Sequence, residues 1–205
     1  MRQIELADAL GRLPTATLYE AAGKWGDMSP TIRPVVPGVK LAGFALTLRV
    51  WPGDTLGVLR AIDRAPAGSV IVVDAGGTDR AAVWGGTSTK GSIVRSVRGC
   101  VTNGCVRDVD EIMKLGFPVF ASGISPRGTL KNHPGWTDVP IAVGGVVVNP
   151  GDFVIGDSDG IVVIAAGDAE QVLARAQAQR ASESDRDARV QAGEPLAKIL
   201  DLPPE

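Results

Sequence analysis

Apolar and polar positions alternate along this chain in two different rhythms. Through its first part, short apolar runs alternate with stretches that are apolar on one side only. Residues 44–50 (Phe-Ala-Leu-Thr-Leu-Arg-Val) read as a strand, and residues 69–74 (Ser-Val-Ile-Val-Val-Asp) form the continuous apolar run of a buried one. Between them, Asp54 or Thr55 caps a predicted helix through Ala65. Gly76-Gly77 follows the second strand, and a helix is expected over 87–97. A short strand at 99–102 and a turn at 103–106 (Asn-Gly-Cys-Val) lead to a helix that opens at Arg107 and runs to about Leu115. Gly116 and Pro118 stop that helix, and residues 117–121 form the next strand. Two short N-terminal helices are expected at 6–10 and 15–22, the second opened by Pro14-Thr15, and Pro30, Pro34 and Pro37 make the following stretch a loop. Alternating strand and helix predicts an α/β fold with a partly parallel sheet.

After Ser122 the rhythm changes. Short β runs at 139–143, 146–148, 153–155 and 161–164 are separated by glycine-rich and Asn-Pro-Gly-Asp turns, a pattern that predicts a β-meander or a small barrel-like layer. From Asp168 to about Gln191 the chain reads as one long polar helix with sparse apolar positions (Val172, Leu173, Ala176, Val190). Such a helix packs weakly on its own body, so residues 168–205 are expected to lie across a neighbouring subunit. No repeat or linker marks a second domain, so residues 1–205 read as one.

Composition narrows the classes. With 205 residues and 44% hydrophobic content, the chain can bury a sizeable core. A net charge of -2 gives no case for a nucleic-acid or membrane partner. The N-terminus lacks the apolar core of a signal peptide, and no apolar run is long enough to span a bilayer, so cytoplasmic residence is the expectation. Cys100 and Cys105 have no second cysteine pair and only one histidine to join them, so they read as buried thiols rather than metal ligands.

Two segments carry candidate chemistry. In Arg107-Asp108-Val109-Asp110-Glu111 a guanidinium and a carboxylate sit side by side at a helix N-terminus just beyond a strand. Helix N-termini favour anions, and open α/β sheets bind ligands at the carboxyl ends of their strands. Arg107 suits a keto-acid carboxylate, Asp108 suits a hard divalent cation, and Glu111, one turn on, is placed to hold Arg107. In Trp84-Gly85-Gly86-Thr87-Ser88 two glycines lead into a helix whose first N–H groups are open to an anion. Each segment alone also fits plain helix-start chemistry.

Together, and with Val72-Val73-Asp74-Ala75-Gly76-Gly77, Gly116-Phe117-Pro118-Val119-Phe120, Ser125-Pro126-Arg127-Gly128-Thr129, Val147-Val148-Asn149-Pro150-Gly151-Asp152 and Asp157-x-Asp159-Gly160-Ile161-Val162-Val163, the chain resembles the RraA-like family over roughly residues 10–195. That family includes class II pyruvate aldolases that cleave 4-hydroxy-4-methyl-2-oxoglutarate and 4-carboxy-4-hydroxy-2-oxoadipate. The resemblance implies a swivelling β/β/α fold assembled as a trimer or a dimer of trimers. It implies a metal-dependent lyase that releases pyruvate from a 4-hydroxy-2-oxo acid, with oxaloacetate decarboxylation as a related reaction. Asp108 would hold Mg²⁺ or Mn²⁺, mostly through water, and Arg107 would bind the pyruvyl oxygens. The Gly85-Gly86 turn and the N–H groups of Thr87 and Ser88 would receive the carboxylate. Glu183, on the C-terminal helix of an adjacent subunit, would reach the metal's waters. The pyruvate enolate needs a charge sink, and none of Lys24, Lys40, Lys90, Lys114, Lys131 and Lys198 sits in an evidently apolar setting suited to a Schiff base.

The chain departs from the family pattern at Gly86, where the aldolases usually carry Asp or Glu, at Asn103, where Asp is frequent, and in the polar stretch from Thr87 to Lys90. The alternatives are a non-catalytic regulator of RNA-degrading machinery and a diverged lyase or tautomerase. His133, the single histidine, reads as a solvated loop residue; Arg127 is a candidate for a distal carboxylate; Trp84 and Trp136 read as core or interface.

Overall fold

The computed structural model describes residues 2–77 and 81–203. Its helices are α1 (Arg2–Leu10), α2 (Thr15–Ala21), α3 (Leu56–Arg64), α4 (Gly86–Val94), α5 (Val109–Leu115), α6 (Ala169–Gln191) and α7 (Leu196–Ile199). Its strands are β1 (Arg33–Pro34), β2 (Leu41–Arg49), β3 (Ser69–Asp74), β4 (Ala82–Trp84), β5 (Gly99–Val106), β6 (Val119–Ile124), β7 (Trp136–Thr137), β8 (Ile141–Val143), β9 (Val146–Val148), β10 (Phe153–Gly156) and β11 (Ile161–Ile164).

One curled sheet runs in the order β1-β6-β5-β3-β2-β10-β11, with β4 added to β5 and β7 to β2. The centre (β2, β3, β5, β6) and β4 are parallel, as the strand–helix alternation predicts, and the flanks are antiparallel. Period-two patterning sorts β3 between two cores. Ile71 and Val73 pack under α3 and α5 with Val58, Ala61, Ile62 and Ile112, while Val70 and Val72 face the β8–β9 hairpin with Ile141, Val143 and Val148. Phe153 and Ile155 turn away from Val154 to form a third core with α1, α2 and the start of α6.

Three expectations are corrected. The predicted meander does not form a separate layer: β10 pairs with β2 (Phe153 opposite Phe44, Gly156 opposite Leu41) and extends the main sheet, so only β8–β9 stands apart. The predicted turn at 103–106 is the second half of β5. Its Asn-Gly chemistry is absorbed as an irregularity between Thr102 and Cys105, where Asn103 accepts from the Ala75 N–H at 2.7 Å and donates to Asp74 at 3.0 Å, and Thr102 accepts from the Gly104 N–H. Arg107 lies before α5 rather than inside it, because Asp108 takes the left-handed conformation (φ 58°) and caps the helix.

The long helix does run over Ala169–Gln191, and only its first turns are buried, through Ala169, Val172 and Ala176. Pro204 and Glu205 lie outside the described residues. No helix among the described residues is long and apolar enough to cross a membrane.

Candidate functional site

Strands β4 and β5 run parallel and end side by side, Trp84 opposite Val106. Each is followed at once by a helix, so the N-termini of α4 and α5 converge at the carboxyl edge of the sheet. Trp84 anchors this edge: its ring is buried, stacks on Phe117, and donates to Thr89 Oγ1 at 2.9 Å. Its carbonyl accepts the Arg107 N–H at 3.0 Å, which fixes one segment against the other.

Two glycines permit the approach. A Cβ on Gly85 would lie 2.7 Å from Asp108 Oδ2 and 3.2 Å from Arg107 Cγ. The backbone at Gly85 is extended, so the demand for glycine is steric rather than conformational. Asp108 Oδ2 accepts the Gly86 N–H at 3.0 Å, placing a carboxylate at the start of α4, where the helix dipole favours it. The Asp108 carbonyl accepts from Glu111 and Ile112 and closes the first turn of α5. Holding a non-glycine residue in the left-handed region costs about 1 kcal/mol or more, and that strain falls on the residue whose carboxylate the site presents. The Arg107 Nε lies 3.7 Å from Asp108 Oδ2, and both side chains are about half exposed, 48% and 45%.

Arg107, Asp108, Gly85, Thr87 and Ser88 line one cleft of about 230 Å³, together with Thr55, Leu59, Thr129 and Lys131. The structure thus gathers most of the expected residues. Gly86 lies just behind the wall, its N–H taken by Asp108. The first intrahelical bond of α4 is Thr89 N–H to Gly85 O, and the N–H groups of Thr87 and Ser88 have no partner among the described residues. These are two donors at a helix start on the wall of a cleft that also holds a guanidinium, an arrangement suited to a carboxylate.

Other expectations fare differently. Glu111 does not hold Arg107; with Arg107 outside the helix, Glu111 reaches back to α4 and ion-pairs with Lys90. Arg127 is exposed and does not line the cleft, and Lys131 of the same loop does. Asn103 is committed to the loop after β3. His133 is exposed, tilted against Trp51, and Trp136 is half exposed beside the same indole. The Cys100 thiol is fully buried, and burial pushes its pKa well up, so it stays protonated. Glu183 is bonded to Gln179 and Arg180 of its own helix, and it meets none of the cleft residues of its own chain among the described residues.

Asp54 belongs to the site in a way the sequence reading missed. It is 2% exposed, and it accepts from the backbone N–H groups of Leu56 (2.8 Å), Asn132 (2.7 Å) and His133 (3.0 Å). Burial raises its pKa, but the three N–H donors outweigh it, with the His133 charge adding to them, and hold the carboxyl below its ordinary value. The bond ties the loop that carries Gly128, Thr129 and Lys131 to the start of α3, aided by Thr55 Oγ1 against Thr129 Oγ1 at 2.9 Å. The sequence signal was the cap position before α3; the partners, some 78 positions away, leave no trace in periodicity.

The residues fit a water-rich divalent cation. One Asp108 oxygen is taken by Gly86, and the other has no partner among the described residues. Mg²⁺ keeps several waters and binds through one or two carboxylates. Among the described residues no group of three or more His, Cys, Asp or Glu side chains is arranged to hold a metal ion, and Asp108 is the carboxylate on the cleft wall.

Comparison with known proteins agrees with this architecture. The sequence model of the RraA-like family, described as Aldolase/RraA, matches residues 8–163. A protein of Halalkalibacterium halodurans named "Putative 4-hydroxy-4-methyl-2-oxoglutarate aldolase" is 33% identical over 90% of this chain and 88% of its own length. A solved structure of an uncharacterised Pseudomonas syringae protein superposes with a TM-score of 0.83 at 29% identity, over 95% of this chain and 96% of that one. Streptomyces coelicolor RraAS2, described as an unusual member of the RNase ES inhibitor RraA protein family, superposes with a TM-score of 0.81 at 28% identity, over 90% and 98%.

Proposed function

The chain belongs to the RraA-like family, and on that premise we propose that it is a divalent-cation-dependent lyase that cleaves a 4-hydroxy-2-oxo acid to pyruvate and a second oxo-acid. The observation that carries this reading is the convergence, in one cleft, of Arg107, the Asp108 carboxylate and the two free N–H groups of Thr87 and Ser88.

The division of labour follows from the chemistry. Thr87 and Ser88 receive the substrate's carboxylate at the start of α4, and the planar guanidinium of Arg107 binds the oxygens of the 2-oxo-acid end. Asp108 would hold Mg²⁺ or Mn²⁺, aided by Glu183 of the partner subunit. When bound, the cation would supply a positive charge to stabilise the enolate left when the C4 hydroxyl loses its proton to water and the C3–C4 bond breaks; a proton returned from water to C3 then gives pyruvate. Lys131 and Thr129, on the loop tied down by Asp54, are placed to select the far end of the substrate. Lys90 and Lys131 are exposed, so nothing desolvates either amine for Schiff-base chemistry. Most described side chains in the second half of α6 are exposed, as are the apolar Ile93 and Val94 of α4; this supports association with further copies of the chain, for which a trimer or hexamer is proposed.

The test is pyruvate release from 4-hydroxy-4-methyl-2-oxoglutarate and from oxaloacetate, with Mg²⁺ and with EDTA. Turnover is expected with metal only, lost in Asp108→Ala and reduced about a hundredfold or more in Arg107→Lys, which removes the planar fork. Absence of turnover on both substrates contradicts the aldolase reading. Similarity to the RraAS2 protein favours, in that event, a regulator that binds RNA-degrading machinery.

A further inference from the structure

Two paired segments form one side of the cleft, and the same segments lead into a cluster of exposed rings. Residues 51–55 and 128–133 lie side by side. The Leu130 N–H donates to the Gly53 carbonyl at 2.8 Å, the Thr55 N–H donates to the Leu130 carbonyl at 2.9 Å, and Asp54 takes the N–H groups of Asn132 and His133. Thr55, Thr129 and Lys131 of this pair line the cleft. Just beyond them the Trp51 ring lies 5.7 Å from the His133 ring and 5.8 Å from the Trp136 ring. The backbone beneath is fixed, because β7 pairs with β2 and sets Trp136 opposite Arg49. Glycines seat the loop: a Cβ on Gly135 would overlap the Arg49 carbonyl, and a Cβ on Gly57 would overlap the Pro134 carbonyl. The three rings are nevertheless not buried. Trp51 and Trp136 stay 50% and 49% exposed, and His133 is exposed beside them.

The cleft itself offers a flat group no open face: Trp84 is the one ring among its lining residues, and it is 1% exposed. The faces left in water belong to Trp51 and Trp136, on the segments that carry the cleft wall outward. Resting on the oxo-acid reading given above, we infer that Trp51, His133 and Trp136 form a shelf for a flat apolar group, such as an aromatic ring, at the far end of a 2-oxo acid held in the cleft. Ligand sites combine a few placed polar groups with apolar and aromatic surface, and here the polar groups lie in the cleft and the aromatic surface beside it. Ring-on-ring contact adds to the gain from taking both surfaces out of water. A ring cluster that only packs the loop down has a different signature. Its loss disturbs Thr129 and Lys131 and so weakens every ligand of the cleft alike, whereas loss of a shelf weakens only ligands that carry the flat group.

Calorimetric titration of the full chain with Mg²⁺ present separates the two without needing turnover. The probes are 2-oxobutanoate and 2-oxo-4-phenylbutanoate, which share the oxo-acid end; the second adds a phenyl ring, and neither has the C4 hydroxyl that cleavage requires. The unaltered chain is expected to bind the phenyl compound about tenfold more tightly. In Trp51→Ala and in Trp136→Ala that preference is expected to fall severalfold, and in the double variant to vanish, with the affinity for 2-oxobutanoate unchanged within about twofold. Trp51→Phe and Trp136→Phe, which keep a ring, are expected to retain most of the preference. Equal affinity of the unaltered chain for the two compounds, or a preference that survives in the double variant, would overturn the inference while leaving the lyase reading intact. So would a double variant that loses affinity for both compounds alike or changes its mass in light scattering, the marks of loop packing and of an interface between copies. No binding of either compound by the unaltered chain would overturn the inference together with the oxo-acid reading.

Discussion

Asp54 shows how much of this cleft depends on a residue outside its wall. Three backbone N–H groups converge on its buried carboxylate, two of them from the loop that brings Thr129 and Lys131 to the cleft. Because these bonds hold its pKa below the ordinary 3.8, the stability they confer is present above that value and is lost as pH falls through the lower folded-state pKa. Asp54→Asn is therefore expected to cost about 2 kcal/mol at pH 7 in urea unfolding, with the gap between variant and parent closing below about pH 4. A gap that persists unchanged to pH 3 contradicts the assignment. At the same scale, Arg107, Asp108, Thr87 and Ser88 were legible in the sequence because they are contiguous with glycines and helix starts. Asp54, Thr129 and Lys131 were not, since only the folded chain brings positions 54 and 132 together. The role read for Glu111 failed for a local reason: the left-handed turn at Asp108 puts Arg107 outside the helix and breaks the expected one-turn spacing.

Among the elements, the strands that were continuous apolar runs were read best, β3 without error, because burial on both faces leaves little ambiguity in pattern. β5 was cut short because Asn103-Gly104 carries turn chemistry, here spent on an irregularity that presses Gly104 against the Ala75 side chain and ties Asn103 to the loop after β3. The meander went astray because alternation alone does not say which strand a hairpin will join; β10 joined β2. The long polar helix was legible as an element, over Ala169–Gln191. After Ala176 it buries no side chain among those described, so the fold does not need its second half. On the proposed reading, a chain ending after Arg180 is expected to keep its stability within about 1 kcal/mol, but to lose the proposed oligomer in light scattering and the proposed lyase activity. Retention of either contradicts a role for that half of the helix in completing a neighbour's site.

At the scale of the molecule, a parallel sheet centre aims two helix starts at one edge, and a loop returning from β6 closes the third side of the cleft. Ligands gather at the carboxyl ends of such strands because the helix N-termini and the loop side chains are there together. The fold alone does not select a reaction; the selection rests on the carboxylate, the guanidinium and the free N–H pair. On the proposed reading, this edge generates the enolate of pyruvate, whatever second half the natural substrate carries. Exchange of the pyruvate methyl protons in D₂O, followed by proton NMR with Mg²⁺ present, tests that claim without knowledge of the substrate. Exchange that requires the metal and disappears in Asp108→Asn is the predicted result. Methyl signals that stay constant with metal and protein present, or exchange that survives in Asp108→Asn, would contradict it.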